Sequence, residues 1–302
     1  MDYIKSWFEI KQYNRRRFII SGVLALAVAI ISLFVHQSNP VSALGWGVAM
    51  LAALLFPIGF TENLPFIFRT GMLYGLTALL FVLMQQTISC GIHNLSGLLL
   101  FMNIMIMFGL TSILWFFTAN IKVSFIIVTA FTYLVAIVDH FVVQARSFEI
   151  QFSDLASFGT AMSVAGKYEF VLYNETKVGI MWGIILVAFV VATKLPKTRR
   201  DIKHAVYSVA PVMVAFICGF IVFNQAFSGA LGITDKYWKY RGSELNGFWV
   251  STIYSASATR IVEPDGYDSV DGTKETIEAV LQKNPSAGVV ETPSTDHNDV
   301  NT

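Results

Sequence analysis

No charged residue occurs between Arg17 and Glu62, and none again between Arg69 and Lys122. Uncharged runs of that length leave a chain few options. A water-soluble surface needs charged side chains throughout, whereas a helix crossing a bilayer needs about 20 consecutive apolar residues. Each run is long enough for two crossings joined by a polar turn. The composition agrees, with 55% hydrophobic and 14% charged residues and a mean hydropathy of +0.59. Since hydrocarbon offers the backbone no hydrogen-bond partner, helices that satisfy themselves are the natural solution. The chain therefore reads as an all-α polytopic membrane protein.

Seven spans are expected, over 18–35, 41–60, 71–89, 97–118, 123–143, 178–193 and 204–227. Spans five and six are the shortest, each with 16 uncharged residues between its flanking charges. Residues 1–17 hold five basic side chains and Lys194 to Lys203 hold another five. With the N-terminus cytoplasmic, twelve basic residues of the short loops fall inside and three, Arg146, Lys167 and Lys177, fall outside. That distribution obeys the positive-inside rule and places the C-terminal part outside the cell. The first apolar run lacks a small-residue cleavage pattern, so it is expected to be retained as a span.

Residues 146–177 form a polar island between apolar runs. Leu155, Phe158, Met162 and Ala165 recur at helical spacing, with Ser153, Thr160, Ser163 and Lys167 on the other side, which predicts an amphipathic helix from Ser153 to Lys167 lying in the outer interface. Ser153 or Asp154 is suited to cap its N-terminus, where a helix favours an anion. Arg146, Asp154, Lys167 and Tyr168 are the candidate contacts for a phospholipid headgroup. The plain alternative is a helix that seals the bundle against water. Asp139 and His140 lie near the outer end of span five, where headgroup contact is expected and a proton relay is the sharper alternative. Asn103, among Met102, Met105 and Met107, is expected to make an interhelical hydrogen bond.

Residues 228–283 read as an extracellular connector. An aromatic and charged stretch, Asp235 to Arg241, suits the membrane surface. Asn246 to Ile261 is apolar and expected to be a packed element outside the bilayer. A short helix is expected over Thr273 to Lys283, and 284–302 has the composition of a disordered tail. Cys90 and Cys218 fall at different depths, so no disulfide between them is expected. No ligand spacing typical of a metal site occurs, and no basic face with interleaved aromatics points to nucleic acid.

Arg146-x-Phe148, Phe152-Ser153-Asp154-Leu155-Ala156-Ser157, Thr160-Ala161, Val164 and Tyr168 together resemble the membrane domain of the lipoteichoic acid synthase family of phosphoglycerol transferases. Trp238, Gly242, Asn246-Gly247-Phe248 and Pro264-Asp265-Gly266-Tyr267-Asp268 resemble the connector that precedes that family's extracellular domain. The likeness covers residues 120 to 283. It departs at Glu149, where a Pro is often found, at Ser147, where a Gly is often found, and in the number of spans. The resemblance implies a bacterial cell-membrane protein that anchors a sulfatase-like catalytic domain, in cis or in trans, and presents phosphatidylglycerol-type lipid to it. The family's threonine nucleophile and divalent metal, such as manganese, belong to that catalytic domain. No position here matches them, so no catalytic residue, metal or cofactor is assigned to this chain, which is not expected to transfer phosphoglycerol alone. A small transporter or flippase, or a free-standing interaction module, is the alternative.

Overall fold

Each uncharged run folds as a pair of helices. The computed structural model describes residues 6–11, 14–36, 40–88, 90–155, 171–196, 198–233 and 242–258. All of them belong to the compact unit Met1–Thr259. The principal helices are α1 (Arg15–His36), α2 (Pro40–Leu54), α3 (Phe66–Thr87), α4 (Gly97–Thr118), α5 (Ile121–Arg146), α6 (Asn174–Ala192) and α7 (Ile202–Phe223). Three short helices follow: α8 (Gln225–Ala230), α9 (Gly242–Leu245) and α10 (Phe248–Ala258). Among the described residues, six helices, all the principal ones except α2, are long and apolar enough to cross a membrane. Their outward faces carry large apolar side chains in the open, such as Phe34, 81% exposed, and Phe216, 71% exposed. A belt of that kind suits lipid and would be a liability in water.

The second predicted span is corrected. Instead of a helix over 41–60, α2 has 15 residues, which rise about 22 Å against a hydrocarbon core of roughly 30 Å. Pro57 explains the stop, since a proline disfavours helical geometry in the residue before it and has no N–H to give. The backbone beyond turns extended, and β2 (Ile58–Phe60) pairs antiparallel with β1 (Phe8–Ile10), Phe8 opposite Phe60 and Ile10 opposite Ile58. A two-stranded sheet thus joins the helices, and part of the N-terminal segment is tied into the fold. Since β1 precedes α1 and β2 follows α2, this sheet brings the chain back to the end of the bundle where it began.

Span five, expected over 123–143, lies within α5, which runs through 26 residues with Asp139 fully buried inside it and its Oδ1 hydrogen-bonded. Side-chain caps set the starts of the next turns. Ser96 accepts from Leu99 N, Asn120 accepts from Lys122 N and Val123 N, and Asp201 accepts from His204 N. Within the helices, Thr70, Thr77, Thr87, Thr111 and Thr129 each donate to the carbonyl four residues earlier. Polar side chains satisfied within their own helix fit an apolar surrounding.

The main core gathers α3, α4, α5, α6, α7 and α10 around Leu80, Phe81, Met84, Met107, Trp115, Phe125 and Val250. A second cluster joins Ala25 and Val28 of α1 and Met50 and Ala53 of α2 to Met181, Ile185 and Ala188 of α6. The α4 and α7 helices meet closely at Gly109, where an added Cβ would come within 2.4 Å of the Ala215 Cβ. Pro211 sits in α7 and has no N–H for the carbonyl of Tyr207 four residues earlier. The Tyr74 hydroxyl of α3 donates to that carbonyl at 2.8 Å instead. Cys90 and Cys218 are both free and buried.

Candidate functional site

The polar island begins where α5 ends. Ser147 closes that helix in the left-handed conformation, φ 66°, with its N–H on Val143 O. That geometry favours glycine, and a residue with a Cβ holds it at some cost. The chain then doubles back through a turn, and a short 3₁₀ helix spans Phe152–Leu155. Arg146 forks onto Asp154, its Nη1 donating to Oδ1 at 2.6 Å and its Nη2 paired with Oδ2. The same guanidinium donates to Glu149 O at 2.8 Å, and Asp154 Oδ2 accepts from Gln151 N at 2.7 Å. Burial by itself would raise the Asp154 carboxyl. The Arg146 hydrogen bond, the Gln151 N–H and the Arg146 charge outweigh it and hold the group below its usual value.

Of the four predicted headgroup contacts, Arg146 and Asp154 are therefore brought together as a bidentate pair, half in water. Lys167 and Tyr168, like the predicted interfacial helix beyond Leu155, lie outside the described residues. So do the Asp235 to Arg241 stretch, the predicted 273–283 helix and the 284–302 tail.

The turn is docked from below and from the side. Asp139 Oδ1 accepts from Ile150 N at 2.7 Å, Glu149 Oε1 from Ser243 N at 3.0 Å, and Ser255 Oγ from Phe152 N at 3.0 Å. The expectation that Asp139 and His140 reach the headgroups is corrected, since both are buried. His140 ties α5 to the start of α6: its Nδ1 lies 3.0 Å from Thr176 Oγ1, and its Nε2 lies 3.1 Å from Val171 O and 2.7 Å from Gln144 Nε2.

The connector residues 242–258 enter the same end of the bundle, which charge and hydropathy patterns did not reveal. Gln85 and Asn103, each with no solvent exposure, receive them. Asn103 Oδ1 accepts from Trp249 N and Val250 N at 3.0 and 3.2 Å, capping α10, and its Nδ2 donates to Asn246 O and Leu99 O, both at 2.7 Å. Gln85 Oε1 accepts from Phe248 N at 3.1 Å, and its Nε2 donates to Ser243 O at 3.2 Å. Gly247, at φ 81°, lies so close to Asn103 that a Cβ would stand 2.3 Å from its Nδ2. The interhelical hydrogen bond expected of Asn103 is made, and its partner is α10 of the folded-back segment. Two amides in uncharged runs were the available signal, because an amide in a span must find a partner.

No protein-family model, curated protein or solved structure matches this chain.

Geometry alone thus bounds the chemistry of this end. A cavity of about 20 Å³ lies between the turn and α10, lined by Glu149, Gln151, Asn246, Ser251 and Ser255. That is room for one water, which would serve the buried Ser251 Oγ, and not for a substrate. Among the described residues, no group of three or more His, Cys, Asp or Glu side chains could hold a metal ion. What the arrangement does offer is a polar platform: a turn held by an ion pair and anchored to α5 and to the folded-back connector.

Proposed function

We propose that this chain is the membrane-anchoring, lipid-presenting part of a lipoteichoic acid synthase-like phosphoglycerol transferase, holding a sulfatase-like domain beside the outer leaflet. The observation that supports it best is the docking of the Arg146 to Leu155 turn onto residues 242–258. The described parts of the two segments that carry the family resemblance, 146–155 and 242–258, are far apart in sequence and meet at one end of the bundle. The left-handed Ser147, where the family often has glycine, supports the same reading. The lipid is acidic, of phosphatidylglycerol type, and its headgroup meets Arg146, Asp154, Lys167 and Tyr168.

A photoactivatable phosphatidylglycerol in nanodiscs tests this reading. Arg146→Glu combined with Lys167→Glu lowers headgroup crosslinking while the protein still assembles, and unchanged crosslinking refutes lipid presentation. In this proposal the protein resides in the cell membrane and crosses it seven times, α2 being a short crossing, with the N-terminus in the cytoplasm. In a background without Cys90 and Cys218, Asn63→Cys is then labelled from the cytoplasmic face and Ser147→Cys from the outer face by an impermeant maleimide. Labelling of both from one face overturns that topology.

Burial of Asp139 and His140 favours one second reading, a proton-linked transporter. Under it, Asp139→Asn or His140→Gln abolishes flux in proteoliposomes and leaves lipid crosslinking unchanged.

A further inference from the structure

At the opposite end of the bundle a groove of about 920 Å³ opens between α1, the end of α2, the start of α5 and the end of α6. Its volume is that of a ligand site. One wall is apolar, formed by Ile20, Leu24, Leu54 and Val191, and the rim carries Lys11, Arg16, Arg17, Lys122 and Lys194. Glu9 is the one carboxylate among the lining residues, and it is paired with Lys194 at 2.8 Å.

A simpler role for these cations is to cap α6. Lys11 Nζ and Arg17 Nη2 each donate to Ala192 O at 2.9 Å, and Lys122 Nζ donates to Val191 O at 2.9 Å. Charge decides against that role being sufficient. A helix C-terminus offers roughly half a negative charge. Lys11 and Lys122 alone bring two positive charges to it, Lys11 also reaching Phe56 O at 3.3 Å, and Arg16 adds a third on the rim. The Lys11 ammonium is pushed below its ordinary value by burial first and then by the charges of Arg17 and Lys122, with Glu9 opposing. An excess of positive charge beside an apolar wall at the end of a membrane helix bundle is complementary to a headgroup phosphate with acyl chains attached.

We propose that this groove binds an acidic glycerophospholipid, its phosphate among Lys11, Arg17 and Lys122 and its acyl chains along Ile20, Leu24 and Val191. The bound lipid joins α1, α5 and α6 at the end where the β1–β2 sheet closes the α1–α2 hairpin. The site is separate from the Arg146–Asp154 turn and stands whether or not that turn presents lipid.

Native mass spectrometry of the detergent-purified chain tests the proposal, with phosphatidylglycerol and phosphatidylcholine titrated in parallel. Wild type retains phosphatidylglycerol preferentially. Lys11→Gln with Lys122→Gln weakens retention about 25-fold, at about fivefold per cation near an acidic headgroup, and Lys11→Arg with Lys122→Arg restores it. Arg199→Gln with Lys203→Gln removes two exposed cations that do not line the groove, and retention is unchanged. Glycerol 1-phosphate at millimolar concentration does not displace the lipid. Equal retention of the two lipids, an equal loss in the Arg199 and Lys203 variant, or displacement by glycerol 1-phosphate would overturn the proposal; the last would assign the groove to a soluble phosphate ester. Should the glutamine variant fail to assemble, the arginine variant and the competition with glycerol 1-phosphate still decide.

Discussion

Asn103 has its carboxamide engaged on both atoms, with two backbone N–H groups of α10 on Oδ1 and two carbonyls on Nδ2. Replacing it by leucine keeps the volume but removes the acceptor of those two buried N–H groups. A buried unsatisfied group costs about 1–3 kcal/mol. Asn103→Leu is therefore expected to lower stability by about 3 kcal/mol and to admit protease within residues 242–258, read by thermal unfolding in detergent and by limited proteolysis. Wild-type resistance in the variant would mean that apolar contacts alone hold α10. Asp154 gives a prediction in pH. Its carboxyl lies below its unfolded value in the folded chain, so its contribution is complete above about pH 4, the ordinary range of an aspartate, and is lost as pH falls through the lower folded value. Amide protection of Gln151 and Phe152, corrected for intrinsic exchange, is expected to be flat from neutrality to that point and to fall below it. In Asp154→Asn that acid step disappears, and a step persisting in the variant would assign it to another group.

Among the elements, α6 shows how small residues set helix spacing. Gly179 and Gly183 are four apart, a pattern that lets helices approach closely in membranes. An added Cβ at Gly179 would lie 2.1 Å from Thr87 Oγ1 and 2.9 Å from the Thr87 Cα of α3. The hydroxyl is able to rotate away, whereas the backbone is not. At Gly183 the ring of Tyr133 in α5 fills the space, and its hydroxyl donates to Gly179 O at 2.7 Å. Gly179→Ala is expected to cost about 1–3 kcal/mol through forced separation of α3 and α6. Gly75 lies on α3 with nothing within 4 Å of an added Cβ. There Gly75→Ala is expected to stabilise by about 0.5–1 kcal/mol, because only the helix propensity changes. Unfolding midpoints that move in the same direction for the two substitutions would contradict this account of the α3–α6 contact.

At the scale of the molecule, the segment after the last long helix belongs to the bundle. Phe248 and Val250 are buried at 1% and 0% exposure, and Ile233 at 2%. A chain ending at Gly232 would expose the faces of α4 and α7 that they cover and strand Gln85 and Asn103. Removing one buried phenylalanine side chain costs about 3–5 kcal/mol, so this truncation is expected to lower the unfolding midpoint severely and to promote aggregation in detergent. An unchanged midpoint would make α9 and α10 a peripheral attachment. The docked segment also gives the two ends of the bundle different characters. One end is closed by a folded-back connector and buried amides, and the other is held by the β1–β2 sheet and a rim of cations.

The helices of this protein were legible in its sequence because the cost of burying charge is local. Uncharged runs delimit membrane helices wherever they occur, and the principal helices follow those runs. The places where this logic failed are instructive. The α5 helix carries a charged residue inside it, Asp139, whose Oδ1 accepts from Ile150 N beyond the helix, and Pro57 ended α2 in the middle of an apolar run. What only the tertiary structure decided is which distant groups meet. Asn103 bonds to Asn246 across 143 residues, and Lys11 bonds to Ala192 across 181. Neither contact has a periodicity or spacing in the sequence, since each arises from where helix ends arrive after packing. The platform at one end and the cationic groove at the other are both made of such contacts, so they became visible only once the bundle was assembled.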